Sequence, residues 1–152
     1  MTLSSRLVAR ADVRALCRLD VREDQSGRVA PNAVTIAQAA YEPGARVWGL
    51  WVDEAPVGLL AMTDQAEGDM DDGDAPDCAF LWRLMIDGTH QGRGLGAAAL
   101  RIADARARAW GKGHVVTSCV DLPGGAAPFY ERHGYRRTGR TLDGEVELIR
   151  DL

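Results

Sequence analysis

The strongest constraint on the fold is one glycine-rich stretch, Gln91-Gly92-Arg93-Gly94-Leu95-Gly96. An apolar run over residues 79–86 precedes it and predicts a buried strand, while the Ala-rich run that follows predicts a helix to about residue 110. Glycines let backbone N–H groups approach phosphate oxygens closely, and a helix N-terminus favours negative charge. With Arg93 as a fixed cation, the stretch predicts a cradle for a diphosphate.

Size and charge narrow the class of protein. The chain has 152 residues, 46% of them hydrophobic, and this size suits one globular domain over residues 1–152. A net charge of -4 argues against a nucleic-acid-binding protein, which would need a basic patch or stripe. Three cysteines without a CxxC pair predict neither a disulfide framework nor a bound metal. Because no apolar run has signal-peptide or membrane-span length, we expect a cytoplasmic protein that does not contact membranes.

Hydrophobic periodicity predicts a mixed sheet with helices on its faces, in the order β-α-α-β-β-β-α-β-α-β-β. A hairpin of two strands is expected over residues 46–62, and one strand-helix-strand crossover with a right-handed connection follows it. A short helix over residues 126–133 and two strands end the chain. On the long helix, one face carries Leu100, Ala103, Ala107 and Trp110. Asp104 falls on a second, polar face, with Arg108 as its i+4 partner.

Residues 64–77 form an acidic segment without periodicity, and we expect a solvated connecting loop there. The functional alternative is an electrostatic attractor for a cationic substrate. The segment carries the acids Glu67, Asp69, Asp71, Asp72, Asp74 and Asp77.

The glycine stretch also fits the G-x-G-x-x-G/A dinucleotide pattern over residues 92–97, with Asp121 as a candidate ribose acid. The surroundings argue against a dinucleotide fold, which repeats βαβ units and usually begins with the fingerprint. Here about ninety residues precede it. A P-loop is excluded because no Gly-Lys-Ser/Thr ends the turn.

Two motifs together resemble the GNAT superfamily of N-acetyltransferases. Its signature of Arg/Gln-x-x-Gly-x-Gly/Ala after the fourth strand is matched by Gln91, Gly94 and Gly96. An aromatic pair and a glycine near the C-terminus match it again, at Phe129, Tyr130, Gly134 and Tyr135. The resemblance implies a single α/β domain with a mixed, mostly antiparallel sheet of six to seven strands and about four helices. Residues 25–33 and 81–87 more narrowly resemble the bacterial diamine and spermidine acetyltransferase branch.

What the resemblance implies for function is an N-acetyltransferase that uses acetyl-CoA and no metal. A primary amine attacks the thioester directly in a ternary complex, and the acceptor is a polyamine, a diamine or another small amine. Dimers are common in such enzymes, so a homodimer is favoured. Two alternatives stay open: a different acceptor, such as an amino acid, an aminoglycoside or a protein N-terminus, or a catalytically silent acyl-CoA-binding domain.

The resemblance also assigns the cofactor site. The pantetheine arm lies beside the fourth strand where that strand splays from the fifth, and an N–H of Met85 or Ile86 stabilises the thioester oxyanion. The diphosphate lies on the glycine stretch. The cofactor-binding residues are therefore expected to be Leu84, Met85, Ile86, Gln91, Gly92, Arg93, Gly94, Leu95, Gly96 and Ala97.

Tyr130 is the expected general acid, which protonates the leaving thiolate of coenzyme A. The general base is not identified, because Trp82 stands where polyamine acetyltransferases often carry a glutamate. A water relay from Asp77, Glu23 or Asp24 is one alternative, and an amine that binds already neutral is another. Trp82, through cation–π contact, and Asp77 are weak candidates for the amine site.

Overall fold

The computed structural model describes residues 2–152, which form one seven-stranded sheet with helices on both faces. The elements are β1 (Leu3–Leu7), α1 (Val13–Cys17), α2 (Asn32–Ala39), β2 (Ala45–Val52), β3 (Ala55–Asp64), β4 (Cys78–Ile86), α3 (Leu95–Ala109), β5 (His114–Cys119), α4 (Ala127–Arg132), β6 (Arg136–Leu142) and β7 (Glu145–Asp151). Their order is the predicted one, and the expected mixed α/β class is confirmed. None of the helices formed by the described residues is long and apolar enough to cross a membrane.

The strands lie in the order β1-β2-β3-β4-β5-β7-β6. Every neighbouring pair is antiparallel except β4 and β5, which are parallel and joined by the crossover through α3. Because β7 lies between β5 and β6, the turn that joins β6 to β7 reaches the same end of the sheet as the end of β5. The topology thus brings the ends of strands from both halves of the sequence close to the two parallel strands.

The two parallel strands diverge halfway along β4. Their pairing ends at Leu81 opposite Thr117, whereas β3 stays paired with β4 as far as Ile86. A shift in the β3–β4 register at the Ala61–Met62 step leaves Trp82 without an opposite residue, as in a β-bulge. The edge of β4 from Trp82 to Ile86 therefore carries no strand on the β5 side, and a gap opens there.

Each face of the sheet has its own core. On the face covered by α3 and α4, the predicted helix residues Leu100, Ala103 and Ala107 are fully buried. The face covered by α1 and α2 buries a smaller cluster, which includes Leu16 and Trp51. The helical periodicity of α3 therefore identified its core face correctly.

Asp104 is the exception on α3. Its side chain is 4% exposed and forms its ion pair with Arg150 of β7 at 2.7 Å, in place of the predicted pair with Arg108. Burial raises the pKa of Asp104, and the charges of Arg150 and Arg108 oppose that shift. β7 supplies a cation to the polar face of α3, and spacing along the helix alone could not reveal this partner.

Candidate active site

The glycine turn, residues 91–97, has the geometry of an anion-binding turn. Gly92 and Gly94 adopt φ values of 77° and 76°, in the left-handed region, and an added Cβ would meet nothing within 4 Å at either position. Glycine is therefore required by the backbone conformation and not by crowding. Helix α3 begins at Leu95, and the amide of Ala98 donates to the carbonyl of Gly94. The amides ahead of Ala98 have no partner within the helix, as the predicted diphosphate cradle requires.

Gln91 holds this turn in place. Its side-chain amide donates to the carbonyl of Ile86 at 2.9 Å and to the side chain of Gln25 at 2.8 Å. It therefore ties the turn to the end of β4 and to the segment before α2, and it has no amide proton left for a phosphate. Arg93, by contrast, is exposed and makes none of the hydrogen bonds or ion pairs formed among residues 2–152, so its guanidinium is available to an anion.

Gly96 determines how closely α4 approaches the turn. A Cβ at Gly96 would lie 3.1 Å from the ring of Phe129, which is tighter than most contacts of a real Cβ atom. The ring of Phe129 lies 5.3 Å from that of Tyr130, measured between centroids. The small residue in the first turn of α3 thus lets α4 bring Tyr130 toward the gap between β4 and β5.

Tyr130 is fixed in an apolar environment. It is 8% exposed, and its ring packs edge-on against that of Tyr135. Burial raises the pKa of Tyr130 to about 12, which outweighs the lowering by the nearby side chain of Thr117. Thr117 in turn donates to the carbonyl of Leu81 at 3.0 Å, at the last residue pair before the strands diverge. The phenol therefore stays protonated at neutral pH and lies where the gap begins.

The free edge of β4 presents two amides to the gap. The amide of Asp87 donates to the carbonyl of Val57 in β3, and Ile86 directs its carbonyl the other way, to Gln91. Successive peptide groups of a strand point to opposite edges. The N–H groups of Leu84 and Ile86 therefore face the gap, whereas that of Met85 faces β3. Of the two amides predicted for the oxyanion, the geometry favours Ile86 and not Met85.

A cavity of about 1000 Å³, which we call the splay cleft, opens where β4 and β5 diverge. Tyr130, Thr117 and Cys119 line it together with Trp82 and Leu84 from β4. The other walls include the segment before α2, the acidic segment, the connection between β5 and α4, and the turn between β6 and β7. Parts of the chain that are far apart in sequence thus enclose one space beside the predicted acid.

The splay cleft is acidic. Its two guanidinium groups already have protein partners: Arg83 donates to Thr35 and Gln38, and Arg28 donates to the carbonyl of Gly124. Burial lowers the pKa of Arg83. Six carboxylates line the cleft, from Glu42, Asp69, Asp71, Asp74, Asp143 and Glu145.

The acidic segment, residues 64–77, is attached to the sheet at both ends. Lys112 pairs with Asp64 at 2.6 Å, and both side chains are largely buried. Arg140 of β6 pairs with Asp74 at 2.7 Å and donates to the carbonyl of Asp72. The segment is therefore part of the cleft wall, which differs from the solvated connecting loop expected from its composition.

Other predicted residues lie elsewhere or are already occupied. Trp82 lines the cleft, but the guanidinium of Arg83 lies 4.7 Å from its ring centroid, in the position expected for a substrate cation. Asp77 accepts a hydrogen bond from the amide of Gly113 and does not line the cleft. Glu23 and Asp24 lie in an exposed 3-10 turn, also outside its lining. The structure therefore brings together Tyr130, the β4 edge and the glycine turn, but none of the bases considered from the sequence.

The cleft residues that sequence reasoning missed share one property. Thr117 and Cys119 lie in a strand whose sequence is typical of a buried core strand, and Asp143 and Glu145 lie at a hairpin turn. Nothing in their local sequence distinguishes them from ordinary strand or turn residues, because their proximity to Tyr130 depends on the order of the strands.

The sequence model of the acetyltransferase (GNAT) family matches residues 13–135, and the chain belongs to this family. This match confirms the predicted superfamily and the prediction of an acetyltransferase. No protein of curated function matches the sequence.

Solved structures share the fold at low sequence identity. PaiA N-acetyltransferase from Thermoplasma acidophilum, in complex with coenzyme A, gives a TM-score of 0.71 at 12% identity over 100% of both chains. AAC(6')-Ib, in complex with ribostamycin and coenzyme A, gives 0.80 at 15% identity over 99% of this chain and 94% of that one. An acetyltransferase from Thermus thermophilus gives 0.73 at 21% identity over 100% of this chain and 98% of that one. The likeness extends over the whole chain and concerns the fold.

Proposed function

We propose that the protein transfers the acetyl group of acetyl-CoA to a primary amine of a small acceptor with several positive charges. One observation carries the proposal. A cradle for an anion and a buried, protonated Tyr130 adjoin the gap between β4 and β5, and an acidic cleft that Tyr130 also lines opens from the same gap. A thioester held in the gap would be reached by a cationic amine from the cleft.

The donor would be held chiefly by the backbone. The amides of the glycine turn and the side chain of Arg93 would take the pyrophosphate. The pantetheine arm would pair with the β4 edge through Leu84 and Ile86. The amide of Ile86 would stabilise the oxyanion, a contribution of roughly 3 kcal/mol for such a donor. Coenzyme A in the structures of PaiA and AAC(6')-Ib supports this assignment by analogy of fold.

The reaction needs one proton donor on the thiol side. The amine nitrogen forms a bond to the thioester carbon, the carbon–sulfur bond breaks, and Tyr130 gives its proton to the leaving thiolate. A phenol with a pKa of about 12 is a weaker acid than the thiol that its proton would form, whose ordinary pKa is about 8.5. The thiolate is released into the same apolar gap, where burial raises the pKa of the thiol and reduces the difference between the two pKa values.

The acceptor class follows from the charge of the cleft. Clefts lined by one sign of charge concentrate ligands of the opposite sign. Polyamines and diamines, the acceptors of the branch that the sequence resembles, carry several ammonium groups. An aminoglycoside such as the ribostamycin bound to AAC(6')-Ib also carries several ammonium groups. We therefore place this chain among acetyltransferases of polycationic amines, with polyamines as the first candidates.

Two measurements test this function. Thermal unfolding is followed with acetyl-CoA and with NAD, since a ligand of the folded state raises the melting temperature. Thiol release is then measured with spermidine, 1,4-diaminobutane, ribostamycin, an amino acid and a peptide. We expect stabilisation by acetyl-CoA alone and turnover with the polycationic amines. Stabilisation without any turnover would favour a silent acyl-CoA-binding domain, and turnover only with the amino acid or the peptide would contradict the acceptor class.

We further propose, from the family resemblance alone, that the protein is a cytoplasmic homodimer. Sedimentation equilibrium of the purified chain over a range of concentrations tests the assembly. A single species with the mass of one chain would contradict it.

A further inference from the structure

The proton lost by the acceptor ammonium needs a destination, and the carboxylates of the splay cleft differ in availability. Asp74 is paired with the guanidinium of Arg140 at 2.7 Å. Asp69 and Asp71 belong to the acidic segment, and both are exposed. Glu145 is half-buried and lines the cleft, and its side chain makes none of the side-chain hydrogen bonds or ion pairs formed among residues 2–152.

Strand pairing places Glu145 at the end of β5. Its neighbour Val146 pairs with Cys119, the last residue of that strand, and both pack against the core on the α3 side. Successive side chains of a strand point to opposite faces. Glu145 therefore faces the α2 side of the sheet, where Arg83 of β4 donates to Thr35 of α2.

Tyr130 approaches the same place from the other face. It belongs to the core on the α3 side and lines the cleft together with Thr117, two residues before the end of β5. Glu145 and Tyr130 thus flank the gap between β4 and β5 from opposite faces of the sheet. A reaction that passes through this gap would have a carboxylate on the amine side and a phenol on the thiol side.

The charge of Glu145 acts on both strands that border the gap. After burial, which is the largest cause, Glu145 is the next cause of the raised pKa of the Cys119 thiol in β5. It also opposes the burial that lowers the pKa of Arg83 in β4. The charge of Glu145 therefore reaches groups on both strands, although Glu145 itself lies in β7, beside β5.

We propose that Glu145 is the general base of the transfer. Its carboxylate binds the acceptor ammonium and takes one proton from it, directly or through one water, which leaves a neutral amine and a protonated Glu145. The amine then attacks the thioester carbon, and Tyr130 gives its proton to the thiolate as the tetrahedral intermediate collapses. The second nitrogen proton passes through water to the phenolate of Tyr130, and Glu145 releases its own proton to the solvent in the cleft. This assignment rests on the proposed function and adds the residue that its amine half-reaction needs.

Several charged or titratable groups share the environment of Glu145 and set its response to pH. They come from each element around it: Arg28 before α2, Asp74 of the acidic segment, Arg83 of β4, Cys119 of β5, Tyr130 of α4 and Asp143 of its own hairpin.

The test compares Glu145→Gln with two other charge-neutralising variants, using spermidine and ribostamycin as acceptors. Glu54→Gln, in the exposed turn between β2 and β3, is the matched control and should leave turnover unchanged. Asp143→Asn removes a cleft charge beside Glu145 and should raise KM a few-fold with little change in kcat. Glu145→Gln should lower kcat/KM about 100-fold at pH 7, the usual size of a general-base contribution. Because Glu145 has no partner among the described residues, the melting temperature of this variant should equal that of the wild type.

The pH profile separates a base from a mere binding residue. If Glu145 removes the proton, the loss in Glu145→Gln should shrink toward pH 10, as more of the acceptor amine is neutral on its own. A loss that stays constant with pH, a change in KM alone, or an equal loss in Asp143→Asn would overturn the assignment. Wild-type turnover is measured first: if no amine is acetylated although acetyl-CoA binds, the proposed function itself fails.

Discussion

The two sides of the gap between β4 and β5 present different chemical groups, backbone amides on one and side-chain carboxylates on the other. On the α3 side, the glycine turn and the β4 edge offer backbone amides, and the phenol of Tyr130 is buried among aromatic rings. On the α2 side, the splay cleft offers carboxylates from several distant segments. A backbone site suits a ligand that never changes, such as the pyrophosphate of coenzyme A. Side chains can be exchanged without disturbing the fold, so a site built from side chains suits a ligand that differs from one protein to the next.

The largest expected effect belongs to the phenol of Tyr130. Replacing Tyr130 by Phe should lower kcat about 100-fold or more and leave the affinity for acetyl-CoA unchanged, since only the proton donor is lost. Steady-state kinetics and equilibrium binding measure the two quantities.

Tyr135 supplies a matched control for this variant. Its hydroxyl is buried and has no hydrogen-bond partner among the described residues, so Tyr135→Phe should retain kcat and at least the wild-type melting temperature. If both variants lose kcat equally, the effect would come from aromatic packing and Tyr130 would not be the acid.

A smaller effect is expected from the backbone of the glycine turn. Gly94→Ala forces a residue with a Cβ into the left-handed region, at a cost of roughly 1–2 kcal/mol, and should weaken acetyl-CoA binding about tenfold. Gly139→Ala is the matched control, because Gly139 has a φ of 86° with open space around it but lies in β6. Calorimetry should show similar losses of stability in both variants and weaker cofactor binding only in Gly94→Ala. Equal binding by the two would contradict the cradle.

The smallest effect concerns the charge of the cleft. Neutralising the acidic segment with Asp69→Asn and Asp71→Asn should raise KM for spermidine about threefold at low salt, because both side chains are exposed and their fields are screened. The difference should disappear at high salt. The double variant Asp53→Asn with Glu54→Gln removes the same charge from a turn outside the cleft and should have no effect. An equal change in both double variants would show that only net charge matters.

Sequence reasoning succeeded where the signal is local and failed where it is not. The faces of α3 followed from periodicity, yet Asp104 is buried because Arg150 of β7 reaches it. The composition of the acidic segment predicts a solvated loop, but ion pairs with Lys112 and Arg140 fix the segment against the rest of the fold. Trp82 was recognised as a pocket residue, whereas its cation is Arg83 of the same chain.

The sequence by itself determined the order of elements and the glycine turn and predicted Tyr130 as the acid, because each depends on conformation or motif within a few consecutive residues. Only the tertiary structure decided which carboxylates line the same cleft as the phenol of Tyr130. Glu145 reaches the end of β5 because β7 pairs with that strand, and the cleft exists because β4 and β5 stop pairing after Leu81. Strand order and divergence arise from contacts between distant segments, and no local pattern encodes such contacts.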